Sequence, residues 1–350
     1  MVSAPDPHAV LPAWGVSSAA TLTPVQGGLI NKTFLVDEGP RRLVLQYVNP
    51  IFKPPVHLDI DAITAHLEAT GMRTPRLVRT QQGELWATDT AGNVWRALTF
   101  LPGRVVQTAQ SATVARAAGA LVAHFHRAVS TLKHTFHFSR PGAHDTPEHL
   151  RRLERALKDF PTHSNYASVA PVGERILALA ARLESLPEVP RRIIHGDLKI
   201  SNLLFNDELT EGVALLDLDT LAQLTIPIEL GDAFRSWCNP AGEDASEVTF
   251  SAELFEGAIR GYARAAEGLL TREEVDSLVL GTQTIALELA ARFCADALNE
   301  SYFGWNPQKF PSRSEHNRIR ALSQLHVAES VAAQRAGLER VAQEAFSRHG

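Results

Sequence analysis

Two short apolar runs, each ending in an aspartate, constrain this chain more than any other feature. Arg191-Arg192-Ile193-Ile194 leads into His195-Gly196-Asp197-Leu198-Lys199-Ile200-Ser201-Asn202, and Val213-Ala214-Leu215-Leu216 leads into Asp217-Leu218-Asp219. Apolar runs of this length, bounded by Gly and Asp, read as buried β-type segments. Each therefore delivers a carboxylate at its end, and the polar loop between them adds Asn202. A lone Asp or Asn at such a place usually caps a turn. The complete spacing offers more: a proton acceptor at Asp197 and two oxygen donors for a metal at Asn202 and Asp217.

Phosphoryl transfer suits such a set, because the protein there positions reactants and neutralises charge and does little covalent chemistry. Mg²⁺ is held by one or two carboxylates plus substrate phosphates, which fits Asp217 beside the side-chain carbonyl of Asn202. Asp197, placed before Asn202 in the same loop, is then the group to orient an acceptor hydroxyl and receive its proton. The combination His195-Gly196-Asp197, Asn202 and Leu216-Asp217 resembles the catalytic loop and metal-binding segment of the aminoglycoside phosphotransferase and choline kinase superfamily, small-molecule relatives of protein kinases. The resemblance implies an α+β, bilobal protein-kinase-like fold: an antiparallel β-sheet N-lobe with one helix over 1–100, and a mainly helical C-lobe over 101–350. It also implies ATP and Mg²⁺ as cofactors.

A chain of 350 residues is long enough for two lobes. With 34 Lys and Arg against 39 Asp and Glu, net charge −5, it carries no basic run suited to nucleic-acid phosphates. No unbroken apolar stretch reaches the roughly 20 residues of a membrane span, and Met1-Val2-Ser3-Ala4-Pro5-Asp6 lacks a charged signal segment, so no membrane partner and a cytoplasmic location are expected. Cys238 and Cys294 are too few for a disulfide framework and read as reduced core thiols.

In order along the chain, Thr21 to Gln26 is an edge strand on account of Pro24, and Asn31–Val36 with Arg42–Val48 forms a hairpin. Gly27 and Gly28 form a loop able to lie over nucleotide phosphates through backbone N–H groups. Segment 57–70 is an amphipathic helix, and its acids Asp59, Asp61 and Glu68 read as solvated or capping groups. Strands at 77–79, 84–88 and 93–100 complete a sheet. Thr99, Phe100 and Leu101 precede Pro102-Gly103, where β signal gives way to helix; they are the expected hinge and adenine contact. Helices are expected at 111–130, 147–160, 172–186, 251–267, 273–299 with a break near Gly281, and 315–346. His134, His137, His144 and Asp145 lie in a loop without metal-ligand spacing. Gly231-Asp232 reads as a helix N-cap, with Asp232 also buttressing the catalytic loop.

The sequence departs from the wider kinase pattern at Gln46, which stands where those relatives carry a phosphate-binding Lys. A neutral amide brings no positive charge, so two readings stay open: a branch that uses Gln, or a nucleotide-binding scaffold without catalysis. Several separated pieces favour the first. Gly27 to Thr33, Leu45 to Asn49, Leu216 to Thr220, Gly231 to Arg235, Arg292 to Phe303 and His316 to Ala321 resemble the N-acetylhexosamine 1-kinase branch, which also carries Gln at this strand position. That resemblance implies a small-molecule acceptor, a sugar, phosphorylated on its anomeric hydroxyl. It puts Asn31, Arg292, Asp296, Tyr302, Arg318 and Arg320 in the substrate set, with Arg318 or Arg320 toward the phosphates. Homoserine, choline, an aminoglycoside or another sugar would need the same loop, and the oligomeric state is not legible.

Overall fold

The computed structural model describes residues 6–25 and 30–347. It divides into two compact units: Met1–Pro102 with Thr131–Ser139 and Ala214–Leu221, and Gly103–Ser130 with Arg140–Val213 and Ala222–Gly350. The expected glycine loop, Gly27 and Gly28, lies outside the described residues.

In the first unit, strands β1 (Thr21–Val25), β2 (Lys32–Glu38) and β3 (Arg41–Tyr47) are followed by helix α1 (Val56–Ala69) and strands β4 (Leu77–Val78), β5 (Ala87–Thr88) and β6 (Val94–Thr99). Among the described residues these six strands form one antiparallel sheet of order β1-β2-β3-β6-β4, with β5 on β6. Pro24 sits on the edge strand, where a missing N–H is tolerated. The β2–β3 turn places Gly39 at φ 64°, a backbone state that glycine adopts without penalty. One face of the sheet buries Val36, Leu43, Leu45, Trp95 and Ala97 against Val10, Leu11 and Trp14. Those three belong to a 3₁₀ helix, His8–Trp14, in the proline-containing lead, and Trp14 Nε1 donates to Val78 O at 2.8 Å. The polar row Thr33, Gln46 and Arg96 lines up across β2, β3 and β6.

Asp59 departs from its expected solvated or capping role. It is buried on α1, and its carboxylate accepts from His134 Nε2 (2.8 Å) and His137 Nδ1 (3.1 Å) and from the backbone N–H groups of His137 and Phe138. It therefore staples segment 131–139 to the helix.

The second unit opens with β7 (Arg104–Val105), then α2 (Ala112–Val129), α3 (Thr146–Asp159) and α4 (Tyr166–Ala180). Next come β8 (Arg191–Ile194), β9 (Leu203–Phe205), β10 (Gly212–Leu215), whose end belongs to the first unit, and β11 (Ala222–Thr225). Helices α5 (Ile226–Trp237), α6 (Ala252–Ala266), α7 (Arg272–Asp276), α8 (Leu278–Asn299) and α9 (Arg313–Ser347) complete it. Helix α4 starts six residues before the expected Val172 and carries Pro171 inside it. The expected break at Gly281 falls instead at Ser277, between α7 and α8.

Gly281 is there for packing. A Cβ on it would lie 2.1 Å from Pro227 O, and one on Gly231 would lie 2.6 Å from Gly281 O, so α5 and α8 touch backbone to backbone. Asp232 is consequently mid-helix, not an N-cap, because α5 begins at Ile226. Helix α8 has the length and hydropathy to cross a membrane, but 94% of that window is buried within the protein. Both cysteines are free and buried, and burial pushes the Cys294 thiol up to about 12.

Candidate active site

The loop after β8 is held from outside by one face of α5. Glu229, Asp232 and Ser236 recur at helical spacing, so their side chains share a face. Glu229 Oε1 accepts from His195 N at 2.8 Å and Oε2 from Gly196 N at 3.0 Å. Asp232 Oδ2 accepts from Leu198 N at 3.0 Å, and Ser236 Oγ accepts from Ile200 N at 3.2 Å. Trp237 Nε1 donates to Leu198 O at 2.7 Å. His195, Leu198, Ile200 and Asn202 of this loop are buried, so its inward-facing backbone groups need such partners. Arg235 pairs in turn with Asp232, its Nε at 2.9 Å and Nη2 at 2.6 Å from Oδ1.

Within this frame Asp197 meets two donors. Lys199 Nζ lies 2.9 Å from its Oδ2, and Asn202 Nδ2 donates to the same oxygen at 2.9 Å and to Asp197 O at 2.8 Å. Burial alone would raise the Asp197 carboxyl, but Lys199, His195 and Arg235 outweigh it and hold the group below its ordinary value. About a quarter of its side chain stays accessible, as an acceptor-facing carboxylate requires. Asn202 is buried at the end of a 3₁₀ turn, Ile200–Asn202. Both of its side-chain hydrogen bonds use the amide nitrogen, which leaves Oδ1 as the ligand atom for a cation.

In the first unit, β10 runs into Asp217, which takes the left-handed conformation, φ 59° and ψ 63°, ahead of a 3₁₀ turn, Leu218–Thr220. That turn buries Asp219, whose carboxylate is gripped by both Nη atoms of Arg96, Nη2 at 2.8 Å, and by Asn31 Nδ2 at 2.6 Å. Arg96 Nε donates to Gln46 Oε1 at 2.8 Å, and Gln46 Nε2 donates to Thr33 Oγ1 at 3.1 Å. Asn31 Oδ1 accepts from Asn49 N at 2.9 Å. Thr99 Oγ1 accepts from Arg76 N at 2.9 Å, the Arg42 guanidinium lies 4.0 Å from the Phe100 ring centre, and Leu101 is half-buried.

The remaining substrate-set residues gather at the end of α8. Asp296 accepts from the N–H groups of Ser301, Tyr302 and Phe303 and from Asn317 Nδ2, so it shapes the 301–303 turn. Arg292 lies 5.9 Å from the Tyr302 ring centre and 5.5 Å from that of Phe303, with Glu288 at 3.9 Å. Glu288 also accepts from Thr146 Oγ1 at 2.6 Å and meets His144 Nδ1 at 3.2 Å. Burial would lower His144, but Glu288 outweighs it and holds the imidazole above its ordinary value. Tyr302 is half exposed, and its hydroxyl accepts from Arg140 Nη2 at 2.8 Å. Arg320 joins the group through Gly304 O at 3.0 Å and the Phe293 ring at 5.4 Å, and it also pairs with Asp244. Arg318 instead pairs with Glu315 on its own helix, and Asn31 belongs to the Asp219 network.

Sequence reasoning missed Arg96, Lys199, Glu229 and Glu288. Lys199 carried a signal, a cation two residues from the candidate base. So did Arg96, a lone charge inside Val94-Trp95-Arg96-Ala97-Leu98. An antiparallel sheet followed by a helical unit is the protein-kinase-like fold class. The chain belongs to the phosphotransferase enzyme family, whose model matches residues 21–267.

Solved structures share the fold across nearly the whole chain. A microcompartment-associated aminopropanol kinase is 17% identical, with TM-score 0.64, over 93% of this chain and 97% of that one. An aminoglycoside phosphotransferase from Alicyclobacillus acidocaldarius is 14% identical, with TM-score 0.60, over 97% and 98%. An amicoumacin kinase in complex with AMP-PNP and Ca²⁺ is 14% identical, with TM-score 0.56, over 93% and 88%.

Proposed function

We propose that the chain transfers the γ-phosphoryl group of ATP to the anomeric hydroxyl of an N-acetylhexosamine, giving the sugar 1-phosphate and ADP. The amicoumacin kinase bound to AMP-PNP and Ca²⁺ supports a nucleotide with a divalent cation. Asn202 with its amide oxygen and Asp217 with its carboxylate each offer a hard ligand of the kind Mg²⁺ takes. When bound, Mg²⁺ would neutralise charge on the phosphates.

The protein's own part centres on Asp197. Lys199 and Asn202 fix its carboxylate in the ionised state, ready to orient the sugar hydroxyl and take its proton as the new P–O bond forms. The bond from the γ-phosphorus to the ADP oxygen breaks in the same displacement. A base held below its ordinary pKa accepts that proton late, which suits a loose transition state.

One observation carries the choice of a neutral acceptor. Arg292 already occupies the Tyr302 and Phe303 rings, the surface a cationic amine would otherwise use. An ammonium there would meet a guanidinium, whereas the hydroxyl and acetamido oxygens of a neutral sugar can accept from Arg292. ADP release measured across N-acetylglucosamine, N-acetylgalactosamine, glucose, choline, aminopropanol and kanamycin tests this. The expected order puts both N-acetylhexosamines first by at least tenfold in kcat/KM. A preference for any of the amines refutes it.

A further inference from the structure

Gln46 stands on the strand position expected to carry a positive charge, and the structure shows what it does there. Both ends of its amide are committed: Oε1 accepts from Arg96 Nε, and Nε2 donates to Thr33. The cation sits one strand over, because Gln46 and Arg96 are directly opposed in the β3–β6 ladder. Arg96 is almost completely buried, as is Asp219, and a buried ion pair persists only where its remaining groups are also satisfied. Gln46 satisfies the guanidinium, and Asn31 satisfies the carboxylate. Asp219 shares one short turn with Asp217, whose left-handed backbone is a state that a non-glycine residue holds only when its surroundings fix it.

We infer that Arg96 is the positioning residue of the metal-binding turn, gripping Asp219 to fix Asp217, and that Gln46 serves Arg96 and does not bind phosphate. This rests on the metal and nucleotide reading above but not on the identity of the acceptor. The fork of Arg96 matters as much as its charge, since two Nη atoms and Nε address two different partners at once. A lysine at position 46 would set an ammonium directly across the ladder from the guanidinium and remove the acceptor for Nε. Installing the charge the wider pattern expects should therefore harm this protein.

The test is Mn²⁺ binding in the presence of AMP-PNP and without acceptor, followed by the electron paramagnetic resonance signal of free Mn²⁺, with melting temperature recorded alongside. Arg96→Lys should weaken Mn²⁺ binding at least tenfold while changing metal-free AMP-PNP binding less than threefold. Gln46→Lys should weaken Mn²⁺ binding too, and Gln46→Met, near in size and without polar ends, should weaken it about threefold to tenfold. A general packing role would lower the melting temperature and leave the Mn²⁺ constant of the folded protein unmoved. Mn²⁺ binding within twofold of wild type in Arg96→Lys overturns the inference, as does tighter binding in Gln46→Lys. Should Arg96→Lys not fold, unchanged Mn²⁺ binding in Gln46→Met overturns it. A wild-type protein that binds no AMP-PNP removes the nucleotide reading and the inference together.

Discussion

Replacing Glu229 by Gln tests how far the loop that bears Asp197 depends on its anchors from α5. The carboxylate gives one oxygen to His195 N and the other to Gly196 N, at 2.8 and 3.0 Å. The amide keeps one oxygen and turns its NH₂ toward the second N–H, leaving a donor facing a donor in a buried place. A hydrogen bond to a charged group contributes roughly 1.5–3 kcal/mol, and an unsatisfied buried donor loses a similar amount. Taking about 2–3 kcal/mol as the loss and tenfold in rate per roughly 1.4 kcal/mol, kcat should fall about 30- to 150-fold if the loop moves. The assay is kcat with saturating ATP and acceptor, with circular dichroism confirming a folded chain. Size is unchanged and Asp197 is untouched, so a folded variant with kcat within threefold of wild type would refute the view that these anchors set the base.

Three further substitutions probe separate links. Asp197→Asn removes the proposed proton acceptor without changing shape, so kcat should drop by about 10²–10⁴ with ATP binding retained in a fluorescence titration; full turnover would remove Asp197 as the base. His57 is buried with Nε2 unpartnered, and burial followed by the nearby Arg96 charge lowers its pKa from 6.5 to about 4. The unfolded chain then binds this proton first, so stability is complete above pH 6.5 and falls by on the order of 3 kcal/mol as the pH drops toward 4. Urea unfolding at pH 7, 6 and 5 should show that slope flattened in His57→Phe, and equal slopes would contradict it. Gly281→Ala forces a Cβ to within 2.1 Å of Pro227 O. The strain of roughly 1–3 kcal/mol or more should exceed the ~1 kcal/mol helix-propensity gain of Ala over Gly, lowering both melting temperature and kcat because α5 carries the loop anchors. A variant as stable as wild type would show that the two helices have room to separate.

The parts of this protein that could be read from its sequence are those whose partners are near in the chain. Asp197 and Asn202 lie in one loop, and the sheet strands announced themselves by alternation and turn residues. Helix ends were found to within a residue or two for α1, α2, α3 and α6, where Ser, Thr, Pro or Gly mark the boundary. At α4 the expected span 172–186 came late: the apolar face formed by Val169, Val172 and Ile176 fixes the helix at Tyr166–Ala180 and tolerates Pro171 inside it. Asp59 looked like a surface acid because its donors come from residues 134–138. Arg96 showed only that a charge stood in an apolar strand. Its carboxylate partner is Asp219, and nothing short of the folded sheet pairs them.

Two kinds of bonding divide the second unit's site. The loop that bears Asp197 is fixed almost wholly by side chains of α5 holding backbone groups, an arrangement indifferent to which side chains the loop carries. The cluster at the end of α8 is the reverse: His144, Thr146, Glu288 and Arg292 hold one another side chain to side chain, so a single exchange there alters charge and shape directly. The Gly231–Gly281 crossing joins the two, since α5 bears the anchors and α8 bears Glu288, Arg292 and Asp296. The Asp197 loop and the Glu288–Arg292 cluster are thus mechanically registered through the α5–α8 crossing but bonded separately. Changes in α8 beyond Glu288 should retune the acceptor while leaving the loop's geometry intact, whereas changes at the glycine crossing should damage both together.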